Sequence, residues 1–413
     1  MSMTFQISQK AAEAYLDHVL VILAKRVGIT QNQHELCAQH FRGITSLLDN
    51  SDLKKFKPML RIQGSNRLGT AIRSAGNENN FDVDIVIELY DIPNDWTPQR
   101  LKEEVGRILK SSDRYAELIE PKVGGKRCWT IVFADGTHAD ILPATANDEY
   151  QRLITLTTFG NYKQFEIRIT DKTILPGYYH DTNRLNWLLS NPIGFAEWFF
   201  AMAKYHEVKH KSLGMASATQ YRASIEPFPT WKAEALTLQY IVRLFKRHRD
   251  IMFGDDKEKP ISMIITVLAA KAYCGAPVGG LYSTMLYVAE NMVRMMDVKL
   301  GKRVVLNPVN VEEDFTDRWR KNDAGEREQK FYNWVSKLIT DLRNLEKIDR
   351  IGIGKSLKAL FGESAGSDAI LEYSRKEQAE NANRKMTTAG IFSATAGTIT
   401  ARPNTFYGKC TKE

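Results

Sequence analysis

The stretch Gln63-Gly64-Ser65-Asn66-Arg67-Leu68-Gly69-Thr70, followed by Phe81-Asp82-Val83-Asp84-Ile85-Val86-Ile87, decides the fold of this chain. Apolar residues precede Gly64-Ser65 and recur at helical spacing after it, so the first segment predicts a turn from a strand into a helix. Such a turn presents free backbone N–H groups and the positive end of a helix dipole, which together favour a bound phosphate. Gly64 lets the phosphate approach the backbone, and the Ser65 hydroxyl adds a donor. We therefore predict a phosphate-binding site at Gln63, Gly64 and Ser65.

The second segment places two carboxylates on one face of a strand. Asp82 and Asp84 lie two residues apart, so their side chains leave the same face about 7 Å apart at the backbone. Two such acids repel each other unless a divalent cation lies between them, and magnesium prefers carboxylate, phosphate and water oxygens. Asp140 follows the Asp135-Gly136 turn, where a neighbouring strand would bring a third acid to the site. We predict that Asp82, Asp84 and Asp140 bind two Mg²⁺ ions, with Mn²⁺ as a substitute, and are the catalytic residues.

Each feature taken singly has an ordinary interpretation. A Gly-Ser pair is a common loop, an Asp-x-Asp pair is usually a solvated strand edge, and Asp140 by itself is compatible with a hairpin surface. In combination, a turn, a helix, a strand doublet and a later strand acid in that order favour a nucleotidyl-transfer site.

Length and composition limit the class of protein. The 413 residues fit two domains, or one catalytic domain with a large helical partner, and 43% hydrophobic residues are typical of globular proteins. Lys and Arg number 57 against 49 Asp and Glu, a surplus that suits polyanionic ligands. Four separated cysteines without a C-x-x-C pair argue against a disulfide framework and a structural zinc site. The longest apolar run, Ile261 to Ala272, is too short for a bilayer, so we expect a cytoplasmic protein without a membrane partner.

The pattern of elements changes along the chain. Short β-type runs and two hairpin turns, Gly124-Gly125 and Asp135-Gly136, occupy the first half, and long helical patterns follow Thr182. We predict an α/β (α+β) fold in three parts: residues 1–180 with the N-terminal helices and a small mixed sheet, 181–375 as a helical domain, and 376–413 as a flexible tail. The active-site cleft would lie between the first two. The predicted strands are Val83–Leu89, Ala116–Val123, Cys128–Ala134 and Thr137–Leu142, and the predicted helices include Thr97–Lys110, Pro192–Lys209, Trp231–Met252, Pro260–Cys274, Leu281–Val298 and Gly325–Lys347.

The motif G-S-x-x-x-G-T, then D-x-D in a strand and a later single Asp, resembles the signature of polymerase-β-like nucleotidyltransferases. Within that superfamily the chain looks like the bacterial CD-NTases, the cyclic-oligonucleotide synthases of CBASS anti-phage systems and relatives of cyclic GMP-AMP synthase and oligoadenylate synthase. Leu244–Asp250 followed by Pro260–Ser262 resembles the family segment in which a Lys and a later Ser hold the donor triphosphate. This resemblance implies nucleotide-binding roles for Lys246 and Ser262. Asn307–Asn310 and Phe315–Trp319 resemble the family's N-P turn and following aromatic segment.

The resemblance also implies an activity and partners. The substrates would be ATP or other nucleoside triphosphates, the product a cyclic di- or trinucleotide second messenger with release of pyrophosphate, and no nucleic acid would be obligatory. An operon partner protein would act on the C-terminal tail, where Gly397–Gly408 carries an aromatic pair. Two alternatives remain: transfer to an RNA or small-molecule acceptor, or a non-catalytic nucleotide- or RNA-binding module. Retention of all three mutually repelling acids argues against the second.

Other polar and aromatic residues receive more ordinary interpretations. Arg247 and Arg249 fit a solvated basic cluster, and Ser262 fits a helix N-cap as well as a ligand. We interpret His138 and His248 as structural, because a metal-bound hydroxyl needs little help from histidine. Three aromatic residues are candidates for stacking on a base, and the sequence does not choose among them: Tyr221, Tyr282 and Trp319.

Overall fold

The computed structural model describes residues 3–76, 80–146, 162–210, 228–232, 234–320 and 325–383, with the pairs 385–386, 392–393 and 399–400. Helices in these ranges are α1 (Met3–Val27), α2 (Gln31–Asp49), α3 (Gly64–Leu68), α4 (Pro98–Lys110), α5 (Gly177–His180), α6 (Pro192–His210), α7 (Thr237–Phe253), α8 (Ser262–Tyr273), α9 (Leu281–Asn291), α10 (Glu326–Leu345), α11 (Arg350–Phe361) and α12 (Glu363–Asn383). The strands are β1 (Met59–Gln63), β2 (Phe81–Leu89), β3 (Trp129–Val132), β4 (Thr137–Ala146), β5 (Ile167–Ile169), β6 (Leu188–Ser190), β7 (Asp297–Lys299), β8 (Lys302–Val304), β9 (Leu306–Asn307), β10 (Asn310–Asp314), β11 (Lys385–Met386), β12 (Phe392–Ser393) and β13 (Ile399–Thr400).

A six-stranded mixed sheet forms the frame of the first half. Its order is β1-β2-β4-β5-β6, and β3 pairs with the same edge of β4 as β5. Strands β2 and β4 are parallel, whereas the other described pairs in this sheet are antiparallel. Strand β2 alternates, so Val83 and Ile85 are fully buried on one face and pack with Leu101 and Val105 of α4. Thr97 begins α4 by accepting a hydrogen bond from the Arg100 N–H, and Pro98 follows at a position that suits it.

The second core is helical. Leu16 and Leu20 of α1 are fully buried in one cluster with Ile241 and Phe245 of α7. Helix α1 contacts α7, α9 and α12, so the first helix packs with the helical part of the molecule, while α2 packs with the sheet. Within the described ranges, none of the helices is both long enough and apolar enough to cross a membrane.

One predicted strand is wrong. Ala116–Val123 forms a short 3₁₀ turn at Ala116–Leu118 and a loop that touches β3 at a single bridge between Ile119 and Ile131. The ladder stops because Pro121 has no N–H to donate to it. The chain still reverses at the predicted glycine pair, where the Gly125 N–H donates to the Cys128 carbonyl at 2.9 Å.

Two predicted helix boundaries differ from the structure by more than one helical turn. Helix α7 begins at Thr237 rather than Trp231, whose ring instead packs against His34 of α2 at 5.4 Å. Helix α9 ends at Asn291, and the chain then forms the β7–β8 hairpin, whose turn consists of Leu300 and Gly301, both with positive φ.

The predicted start of the tail differs as well. Helix α12 continues to Asn383, so residues 376–383 are helical, and neither α11 nor α12 was predicted. Of the remaining tail, the structure describes only the short strands β11, β12 and β13, which form a small sheet. Most of Gly397–Gly408 therefore lies outside the described residues, and the partner interaction proposed for it stays a prediction.

Candidate active site

The acids stand in one row across the sheet. Asp84 lies opposite Asp140 in the parallel β2–β4 pair, Gln63 lies opposite Asp84 on β1, and Thr130 lies opposite Asp140 on β3. Residues in register on paired strands share a face, and Asp82 shares it because it lies two residues from Asp84. The fold thus places all three acids on the face opposite to the buried Val83 side.

The turn after β1 lies directly against this row. Gly64 begins α3 with φ of 61°, and a Cβ added to it would lie 2.1 Å from Asp84 Oδ2. Glycine is therefore required both by the backbone conformation and by the close approach of the carboxylate. The Asn66 side chain donates to the Asp82 backbone carbonyl at 2.6 Å, which ties the short helix to the acid-bearing strand.

The electrostatic environment of the acids disfavours their ionised forms. Burial, together with the negative charges of Asp140 and Asp82, raises the pKa of Asp84 to about 7. The Asp82 carboxylate remains open to solvent, yet desolvation within the cleft raises its pKa; the Asp140 charge adds to the effect, while His138 and Lys246 oppose it. Neighbouring carboxylates that resist ionisation are typical of a site that binds a cation.

The donor chemistry of this row fits magnesium, which prefers carboxylate oxygens. Within the part of the chain that the structure describes, however, no three His, Cys, Asp or Glu side chains are spaced as a ready-made metal site. Asp140 Oδ1 accepts a hydrogen bond from the Thr130 hydroxyl at 2.5 Å. The carboxylates therefore share a face without forming a closed ligand set, and the magnesium prediction depends on their chemistry and charge.

Helix α7 contacts the far end of the turn that was predicted to bind phosphate. Three of its side chains donate to consecutive backbone carbonyls of residues 68–70: Gln239 to Leu68 at 2.7 Å, Arg243 to Gly69 at 3.0 and 2.8 Å, and Lys246 to Thr70 at 2.9 Å. We call Gln239, Arg243 and Lys246 the carbonyl ladder. Burial lowers the pKa of Lys246 to about 8, and the positive charge of Arg249 contributes to this. The ladder joins the helical part to the turn that was predicted to bind phosphate.

All eight predicted site residues line one cavity of about 900 Å³. They are Gln63, Gly64, Ser65, Asp82, Asp84, Asp140, Lys246 and Ser262. Ser262 is the first residue of α8, and Ile261 occupies the cap position, so the N-cap interpretation of Ser262 is wrong. Its hydroxyl instead accepts a hydrogen bond from Arg249 at 3.2 Å.

Several ordinary interpretations need correction. Arg247 and Arg249 are buried rather than solvated, and Arg249 lines the cavity, where it also donates to the Pro260 carbonyl at 2.7 Å. His138 lines the cavity, with Nδ1 3.9 Å from Asp82 Oδ1, and its structural role stays a prediction. His248 is structural as predicted: it is buried and pairs with Asp341 at 3.0 Å.

The candidate stacking residues that the structure describes do not reach the cavity. Tyr282 is buried and donates to the Leu342 carbonyl at 2.8 Å, and Trp319 is buried against Phe331. Tyr221 lies outside the described residues. The aromatic lining of the cavity instead includes two residues that sequence reasoning did not select for stacking, Phe195 and Phe315.

Sequence reasoning also missed polar residues of the site. Gln239 and Arg243 belong to the carbonyl ladder. The sequence signal that could have identified them is a polar residue among the apolar positions of a helix. Asn307 and Glu313 line the cavity from β9 and β10. The resemblance of Asn307–Asn310 to the family's N-P turn indicated this segment, but it assigned no role to Asn307 or Glu313.

Comparison with known proteins finds similar sequences and structures, although no family model matches the chain. The chain is 26% identical over 358 residues to a c-di-GMP synthase of Roseivirga ehrenbergii, an alignment that covers 84% of each protein. It is 24% identical over 319 residues to the cyclic dinucleotide synthase CdnG of Bradyrhizobium diazoefficiens, covering 74% of this chain and 70% of the relative.

Solved structures share the fold. The Bradyrhizobium diazoefficiens CD-NTase CdnG in complex with GTP aligns with a TM-score of 0.60 at 22% identity, covering 87% of this chain and 99% of CdnG. CdnC of E. coli MS115-1 with ATP aligns with a TM-score of 0.54 at 13% identity, covering 83% of this chain and 96% of CdnC. The predicted fold class is thus confirmed, and in sequence and fold the chain resembles the polymerase-β-like nucleotidyltransferases and, among them, the bacterial CD-NTases.

Proposed function

We propose that this chain is a cyclic oligonucleotide synthase that joins nucleoside triphosphates into a cyclic di- or trinucleotide and releases pyrophosphate. The observation that carries the proposal is the row of Asp82, Asp84 and Asp140 beside the Gly64 turn, inside a cavity that Lys246 also lines. The relatives named as cyclic dinucleotide synthases support it. As in the CD-NTase family, the product would act as a second messenger in anti-phage defence.

The chain's own residues would bind and orient the donor nucleotide. Gln63, Gly64 and Ser65 would hold the β and γ phosphates on one side, and Lys246 and Ser262 would reach them from the helical side. Held in this way, the α-phosphate would face in-line attack by a 3′- or 2′-hydroxyl of the acceptor, and pyrophosphate would leave.

The three acids would hold the metal ions, and Asp140 would also accept a proton. Two magnesium ions, one held by all three acids and one by Asp82 and Asp84, would supply charge neutralisation at the phosphates and a lowered pKa of the attacking hydroxyl. Because Thr130 donates to Asp140 Oδ1, the second carboxylate oxygen of Asp140 is available to accept the hydroxyl proton. A second transfer on the linear intermediate would close the ring.

The test is an incubation of purified protein with labelled ATP, GTP, CTP and UTP and magnesium, followed by phosphatase treatment and separation. We expect a phosphatase-resistant product, which the double variant Asp82→Asn/Asp84→Asn does not make. Asp95→Asn, which changes an exposed acid outside the cavity, is the matched control and should retain activity. Phosphatase-sensitive products or extended RNA would instead indicate a terminal transferase, and product from the double variant would remove the proposed site.

A further inference from the structure

Glu313 is a half-buried carboxylate of the cavity that the proposed chemistry does not use. It lies on β10 and lines the same cavity as the three acids. Its Oε2 accepts a hydrogen bond from the Asn307 amide at 2.7 Å. Asn307 is itself buried, and its own carbonyl oxygen accepts from the Val309 N–H at 3.1 Å. The Asn307 side chain is therefore held by the backbone and fixes the orientation of Glu313.

Glu313 differs from the other acids of the cavity in its partners. Asp250 is already paired with two cations, Arg249 at 2.8 Å and Lys259 at 3.2 Å. Within the described residues, Glu313 receives its hydrogen bond from a neutral amide and forms no ion pair. Its remaining carboxylate oxygen and spare lone pairs are therefore available to a ligand that donates hydrogen bonds.

An apolar wall lies in the same cavity. Phe195 and Phe315 both line it, and their rings meet edge to face with centroids 6.4 Å apart. Asn310, at the start of β10, donates to the Leu189 carbonyl of β6 at 3.4 Å, which attaches this hairpin to the sheet. Aromatic rings and a fixed polar group in one cavity suit a nucleobase, which needs both a contact for its face and partners for its edge.

The chemistry of a carboxylate selects among the bases. An ionised carboxylate only accepts hydrogen bonds, and its two oxygens match two adjacent N–H donors. On its Watson–Crick edge guanine presents N1–H beside the 2-amino group, whereas adenine and cytosine present a donor beside an acceptor and uracil a single N–H between two carbonyls. We propose that Glu313 recognises the guanine base of a bound nucleotide and is a specificity-determining residue of this enzyme. This inference rests on the proposed function, because it concerns the choice of substrate in the same cavity.

Ribose hydroxyls also donate to carboxylates, and the two possibilities give different results. Recognition of guanine predicts that loss of Glu313 lowers the use of GTP relative to ATP. Recognition of ribose predicts an equal loss for all four nucleotides, because they share the sugar.

The experiment measures nucleotide choice in wild type, Glu313→Gln and Glu312→Gln, with equal concentrations of the four labelled triphosphates. Glu312 is the exposed neighbour on the same strand and serves as the control. We expect wild type to prefer GTP, and Glu313→Gln to lower the ratio of GTP to ATP incorporation by about 5- to 150-fold, the range for loss of a bidentate base contact. Glu312→Gln should leave the ratio unchanged.

Equilibrium binding separates this inference from the proposed function. A non-hydrolysable GTP analogue and the matching ATP analogue are titrated into each protein by calorimetry, which needs no turnover. Tighter binding of the GTP analogue to wild type, lost in Glu313→Gln at unchanged thermal stability, supports guanine recognition even if no cyclic product is found. An unchanged GTP to ATP ratio in Glu313→Gln, an equal loss for both analogues, or a wild type that prefers ATP would overturn it.

Discussion

The two walls of the cavity carry opposite charges: acids lie on the sheet wall and cations on the helix wall. On the sheet wall, Asp82 and Asp84 lie beside another acid, and both pKa values are raised. On the helix wall, buried Lys246 and Arg249 donate to backbone carbonyls, as does half-buried Arg243 of the same helix. The difference teaches that the sheet wall favours a positively charged ligand, whereas the cations of the helix wall also join two parts of the fold through backbone carbonyls.

The largest effect should come from adding a side chain at Gly64, where the turn contacts the sheet wall. In Gly64→Ala the new methyl group would occupy the place of Asp84 Oδ2, so the carboxylate and the turn must separate. We expect a loss of about 100-fold or more in the rate of pyrophosphate release, since misplacement of a reacting group by about 1 Å has effects of this size. Gly301→Ala is the control, because Gly301 also has a positive φ but no neighbour within 4 Å. Similar losses in both variants would show that backbone strain alone is responsible.

The next effect concerns helix α7, whose cations donate to backbone carbonyls of the turn. Arg243→Met removes two hydrogen bonds to the Gly69 carbonyl and should lower the free energy of unfolding by about 1.5–3 kcal/mol, as expected for loss of hydrogen bonds from a charged donor. Because it displaces the turn without contacting substrate, it should lower kcat with little change in KM. Lys246→Met should also raise KM for the triphosphate. Exposed Arg294→Met is the control, and identical kinetics for the Arg243 and Lys246 variants would contradict the distinction between positioning and binding.

The pH dependence of stability tests the sheet wall without any turnover. The folded pKa of Asp84 is about 7, above the value of about 4 for an unfolded Asp, so folding favours the protonated form. This contribution to stability is complete below about pH 4 and is lost as the pH rises to about 7. Without divalent cations, Asp84→Asn should therefore have a Tm a few degrees above wild type at pH 8. Magnesium should raise the Tm of wild type more at pH 8 than at pH 5, and an equal rise at both would argue against binding by ionised acids.

The smallest effect should come from removing the hydrogen bond that Thr130 donates to Asp140. Thr130→Val removes the hydroxyl that donates to Asp140 Oδ1 while keeping the shape of the side chain. Loss of one such hydrogen bond is worth about 1 kcal/mol, so we expect a rate about 5-fold lower in the product assay. Thr340→Val, at an exposed position of α10, is the control. An unchanged rate would mean that the orientation of Asp140 does not depend on this bond.

Local patterns in the sequence predicted much of the site. Gly64-Ser65 and the Asp82-x-Asp84 alternation predicted a turn and a strand face, and the structure contains both. The Asp135-Gly136 hairpin and the Thr97 helix start were also predicted correctly. Predictions failed where a distant contact or a missing donor intervened, as at Pro121, which ends a ladder, and at Trp231, which packs on another helix.

The sequence by itself determined the turn at Gly64 and the alternation of acids and apolar residues along β2. Both features depend on backbone geometry over a few residues. Only the tertiary structure decided that Asp140 stands beside Asp84 and that α7 binds the carbonyls of residues 68–70. It also decided that Glu313 enters the same cavity. These contacts join segments far apart in the chain, and the register and packing that create them follow from the burial of whole faces rather than from any short motif.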